Sequence, residues 1–164
     1  MTEVKTDEEL NLDQKVTVKS IAGWPTSFIR RDGVGDIEIA PNGSTRLSRN
    51  EIISQVQNSN KLFNGIDGKG SHATLYIDDA PTRKEVDFDS VDGERKQVML
   101  NDETVKKLFS LKTQATFEKN LKEAVKTRAE KYAIIQTIRR LGINDYKKIL
   151  FTEKHTGFKV WVVN

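Results

Sequence analysis

Apolar residues recur at every second position through the first half of this chain and at every third or fourth position through the second half. A strand turns alternate side chains to one face, and a helix aligns those three and four apart, so the change of period divides the chain in two. Residues 14–90 are expected to form a β-rich module with one short helix. Residues 98–164 are expected to form a helical part with an extended C-terminal tail. The fold class that follows is α+β, a small barrel- or sandwich-like N-terminal unit packed with a helical C-terminal part.

Within KVTVKSIAGWPTSFI, Val16, Val18 and Ile21 mark a half-buried strand. Trp24-Pro25 interrupts it, because proline cannot donate to a ladder and pushes its predecessor into extended geometry. TSFIRR resumes as a strand, and RRDGVGD supplies a glycine-rich hairpin turn. Ile37 and Ile39, then Leu47 after a Pro-Asn-Gly turn at 41–43, continue the alternation. Ser48 and Glu51 stand in capping-box spacing before a helix whose stripe is Ile52, Ile53 and Val56. Ala73, Leu75 and Ile77 predict a closing strand, and the polar residues 80–97 read as a connection with room for one more short strand.

In the second half, Asn101 or Asp102 caps a helix carrying Val105, Leu108 and Phe109. One longer helix is expected from about Thr116, because Phe117, Leu121, Ala124, Val125, Ala129, Tyr132, Ile135 and Ile138 form a continuous stripe. Gly142 ends it in a left-handed cap. Asn144 is expected to cap a last helix that Gly157 closes, and FKVWVVN finishes as a strand or extended tail.

A chain of 164 residues can bury a core of its own. No apolar run approaches the roughly 18 residues of a spanning helix, so no membrane partner is expected. MTEVKTDEEL lacks the apolar stretch of a secretory signal. Cysteine is absent, which excludes disulfides, thiolate metal sites and cysteine nucleophiles. The charge is uneven: residues 1–14 hold five acids against Lys5, a net of −4, and residues 105–140 hold ten bases against three acids, a net of +7. Residues 1–13 read as an acidic arm, able to attract the basic half within one subunit or between neighbours.

The motifs that could carry chemistry fail on spacing or context. NGIDGKGSHATLYIDD, residues 64–79, gathers glycines around Asp67 and Lys69. A phosphate loop needs Ser or Thr after its Gly-Lys and a helix behind it, whereas Gly70 and then a strand follow Lys69. Asp67 also lacks the alternating ligands of a calcium loop, so the segment is expected to turn a corner. DGVGD lacks the third glycine of a dinucleotide fingerprint. His72 and His155 are too few and too separated for a zinc site, and no G-x-S-x-G elbow presents a serine. Asp78 with Asp79, and Asp87, Asp89 and Asp92, read as turn and solubility residues. No catalytic, cofactor-binding or metal residue is assigned. Lys119, Lys122, Lys126, Arg139 and Arg140 form a basic helical face that could neutralise phosphates, although Glu118 with Lys122 and Lys126 with Glu130 stand at ordinary helix-pair spacing.

The order of these segments, VTVKS, GDIEIAPNGSTRLSRNEI, LYIDD, LNDETVKKLF and EKHTGF, resembles small capsid-associated virion proteins of tailed bacteriophages over about residues 15–160. The resemblance implies a non-catalytic virion protein, assembled in the host cytoplasm, that decorates or reinforces the head or belongs to the portal region. It implies other virion proteins as partners, a major capsid or portal-region protein foremost, with self-association a further option. It carries over no functional residues. The two chain ends, with Glu8, Glu9, Trp161 and Val162, together with Trp24, are the candidate partner contacts. The alternative is a nucleic-acid-binding accessory protein using the basic face.

Overall fold

A computed structural model describes residues 9–161, in which the two periods of the sequence become two lobes. The first holds β1 (Lys15–Ser20), β2 (Thr26–Ile29), β3 (Asp36–Ile39), β4 (Ser44–Ser48), α1 (Arg49–Gln57), α2 (Lys61–Asn64), β5 (Leu75–Asp78) and α3 (Ala80–Glu85). The second holds α4 (Asp102–Phe109), α5 (Gln114–Ala124), α6 (Arg128–Leu141) and α7 (Tyr146–Thr156). The class is α+β. An antiparallel sheet of order β4-β1-β5 and the β2-β3 hairpin share one core, and no barrel closes among the described residues. Val16 and Val18 of β1, Ile37 and Ile39 of β3, Leu47, Ile52, Phe63, Leu75, Ile77 and Phe88 fill that core. Each such side chain contributes roughly 1.5–3 kcal/mol on leaving water.

The turn of the β2-β3 hairpin is held by Glu51. Ser48 caps α1 by accepting the Glu51 amide at 3.0 Å, but the glutamate does not reach back as a capping box requires. Its carboxylate, 1% exposed, instead accepts the amides of Arg31 and Asp32 at 3.0–3.3 Å. Those charge-assisted bonds offset the cost of burying it. The β lobe also contains three helical segments rather than one. In the expected 80–97 connection, Asp79 caps α3 and Pro81 lies in its first turn, where a missing N–H costs nothing.

The single long helix expected from Thr116 is two helices. Val125 is extended, and Thr127 opens α6 through a capping box with Glu130. The pairing expected between Lys126 and Glu130 along a helix is therefore absent; the Lys126 backbone amide donates to Glu130 at 3.1 Å instead. Asp145, not Asn144, caps α7. Residues 158–161 form no strand, and Arg139 ties them down by donating to the Lys159 and Val160 carbonyls.

The lobes meet where the segment after β1 crosses α6. Ile21 and Ala22 pack with Ala129 and Met99, and Trp24 and Tyr132 bring their ring centroids to 6.1 Å. Gly23 makes the contact possible: a Cβ there would lie 2.0 Å from Tyr132 Cε1. Phe158 backs the same ring at 5.7 Å, which limits its retreat. Gly23→Ala is expected to cost about 1–3 kcal/mol in urea unfolding. Most of that cost should vanish in a Tyr132→Ala background; an equal cost in both backgrounds would assign it to something other than this contact.

Candidate functional site

The edges of the three-stranded sheet are treated differently. The Ile21 amide donates to the Thr74 carbonyl, which fixes the register so that Tyr76 and Asp78 bond to β1 while Leu75 and Ile77 turn their backbone groups outward. Gln97 covers that edge, its amide accepting from Ile77 N at 3.4 Å and donating to Leu75 O at 3.4 Å, and Arg83 donates to Ile77 O at 2.8 Å. Asp89 in turn holds both covers, accepting from Gln97 N at 2.8 Å and Arg83 Nε at 3.0 Å. On the other side, the Ser20 amide donates to Gly43 O, so Thr45 and Leu47 bond to β1 and Ser44 and Arg46 turn outward. Among the described residues the outward backbone groups of Ser44 and Arg46 have no partner, and both residues are exposed. One edge is sealed and the other is open.

Residues 64–72 close on themselves. Ile66 N donates to Ser71 O and Gly70 N to Asn64 O, while the Asp67 carboxylate accepts from Lys69 N, Ser71 N and Ser71 Oγ at 2.6–3.2 Å. Gly65 is required at the crossing, since a Cβ would stand 2.0 Å from Ser71 O at a φ of +69°. Lys69 Nζ pairs with Asp87 at 3.0 Å and fastens the loop to the segment beyond α3.

Just past this loop, His72 crosses to the helical lobe. Its Nδ1 lies 2.9 Å from both oxygens of Glu130, whose carboxylate also accepts from Lys126 N, Thr127 N and Thr127 Oγ1. His72 holds a φ of +58°, a left-handed conformation uncommon outside glycine. Beside it a cleft of about 460 Å³ opens between residues 96–100 and the α4-α5 helices, walled by Val98, Met99, Leu100, Leu108, Leu111 and Ala124. The sequence excludes His72 only from a zinc site, and nothing in one sequence pairs it with a glutamate 58 positions on.

The sequence-predicted contacts do not form one site. Glu9 is exposed at the start of the described chain, and Glu8 and Val162 lie outside the described residues. Trp161 is 57% exposed beside the segment tied by Arg139. Trp24 is 36% exposed, but its ring serves the lobe contact and carries Arg128 at 5.8 Å. Of the basic face, Lys119, Lys122 and Lys126 are exposed, with the Lys122 ammonium 5.6 Å over the Phe151 ring; Arg139 is held by the tail, and Arg140 pairs with Asp102. The described residues contain no cluster of three metal-ligating side chains and no helix long and apolar enough to cross a membrane. Compared with protein-family models, with curated proteins and with solved structures, the chain matches none.

Burial works against ionisation of Asp67, yet the Ser71 hydroxyl and the amides of Lys69 and Ser71 outweigh it and hold the carboxyl below its ordinary 3.8. A depressed folded-state value means that this group's contribution is present above 3.8 and is lost as pH falls through the lower folded value. The stability gap between the natural chain and Asp67→Asn is therefore expected to close on acidification below pH 3.8, followed by thermal melting. A gap that persists in acid would show that the carboxylate charge does not organise the loop.

Proposed function

We propose that this chain is a non-catalytic assembly component that binds another structural protein by strand addition at β4. The unequal edges of its sheet carry this reading. An open edge is a template for pairing with another chain, and folds that do not use such an edge usually blunt or cover it. Here β5 is covered by Gln97 and Arg83, whereas β4 has no interrupting proline and, among the described residues, no cover. An extended partner segment would receive main-chain bonds from Ser44 and Arg46, and its alternate side chains would supply specificity. Val34 and Val91, each 97% exposed at turn tips, add apolar contact points around the same lobe.

The resemblance to capsid-associated proteins of tailed phages supplies the partner class: a major capsid or portal-region protein, with the virion as the place of action. The chemistry-bearing side chains support a structural role, since Asp79 is committed to Arg49, Asp89 to Arg83 and Glu51 to the hairpin turn. A second reading, nucleic-acid binding, keeps one observation in its favour: Lys119, Lys122, Lys126 and Arg128 are exposed, and Arg128 lies over the Trp24 ring at 5.8 Å. If it held, neutralising the three lysines would reduce the slope of log affinity against log salt by roughly 3 on duplex DNA.

The test is co-sedimentation of the purified chain with tailed-phage capsids of the same source. Binding is expected for the natural chain and is expected to fall at least about tenfold for Arg46→Pro, which removes an outward amide and the side-chain bond from Arg46 to Lys15 O while leaving the main-chain bonds of Thr45 and Leu47 to β1 in place. A chain that stays in the supernatant contradicts the virion role. Undiminished binding of Arg46→Pro contradicts the edge as its means.

A further inference from the structure

We propose that the cleft between the lobes is a binding site for an amphipathic carboxylate, independent of the open sheet edge. Its volume of about 460 Å³ falls within the range of roughly 300–1,000 Å³ usual for small-molecule sites, and it lies at a junction of two packed units, where such sites concentrate. The walls are apolar: Val98 to Leu100 from the connecting segment, Leu108 and Leu111 at the end of α4, and Ala124 at the end of α5. An apolar ligand body would leave water against these residues.

The charge in the cleft selects the other end of the ligand. Lys96 and Lys107 line it, and neither makes an ion pair among the described residues. Two carboxylates are also present. Glu130 is already engaged by His72 and by three donors at 3.1–3.2 Å around the start of α6, so its oxygens are occupied within the fold. Glu123 is exposed on α5 and leaves two ammonium groups against one uncommitted carboxylate. His72 adds a polar group to the wall. Because the Glu130 carboxylate only accepts, the imidazole proton belongs on Nδ1, and Nε2 is left without a protein partner among the described residues. A ligand with an apolar body and one carboxylate matches this wall and its two ammonium groups that lack an ion-pair partner among the described residues.

The experiment titrates decanoate into the full chain, below its micelle concentration, by calorimetry and by amide chemical shifts. Saturable one-site binding is expected, with shifts concentrated at Val98, Leu100, Leu108 and Ala124. Decanol, which keeps the body and loses the charge, should bind about tenfold more weakly. Lys96→Ala and Lys107→Ala, both exposed positions, should each weaken decanoate binding about two- to fivefold and together about tenfold, without altering decanol binding. Non-saturable binding, equal affinity for decanol, unchanged affinity in the double variant, or shifts confined to another surface would each overturn the proposal.

Discussion

Glu130 carries a carboxylate into a position only 5% exposed, and four donors converge on it from two lobes. An isolated charge at that depth would be costly, so the surroundings must supply bonds to it. Three come from the break between α5 and α6, where Lys126 and Thr127 turn their amides, and the Thr127 hydroxyl, toward the carboxylate. The fourth comes from His72, which arrives from the loop before β5. A single side chain thus ends one helix run, starts the next and fastens the β lobe to the start of α6. Gly23 against Tyr132, and Ile21 and Ala22 against Ala129, complete the junction on the same helix.

The position of the connecting segment follows from this junction. With β5 held near α6, residues 95–101 have to pass between the lobes, and they use the passage in two ways. Gln97 turns toward the sheet and substitutes for a neighbouring strand on β5, while Met99 joins the contact of Ile21, Ala22 and Ala129. Val98, Met99 and Leu100 of the same segment also wall the cleft. Sealing of one sheet edge and formation of the cavity are therefore consequences of one chain path. The β4 edge, remote from that path, has no cover among the described residues.

Local signals in the sequence account for most elements and few of their relations. The strands at Val16 to Val18 and Ile37 to Ile39, the DGVGD hairpin and the Gly142 cap were legible because period and turn chemistry act over a few residues. The α5-α6 break was legible too, in the Thr127-x-x-Glu130 spacing, but the uninterrupted apolar stripe across Val125 outweighed it. Glu51 shows the converse. Its spacing from Ser48 satisfies the capping-box pattern, yet the unpaired amides of the hairpin turn, about twenty positions earlier, claim the carboxylate. Gln97 and His72 carry no local signal, since their roles exist only once β5 and α6 stand beside them. The open edge at Ser44 and Arg46 likewise has no local signal, since it follows from the register of the sheet.

The dependence of the structure on the His72–Glu130 contact is tested most directly by a long-range proton–nitrogen spectrum of the neutral His72 ring. The arrangement described here predicts the proton on Nδ1, held toward Glu130, with Nε2 unprotonated. A ring carrying its proton on Nε2 would contradict it, because Nδ1 would then offer the carboxylate a lone pair instead of a donor.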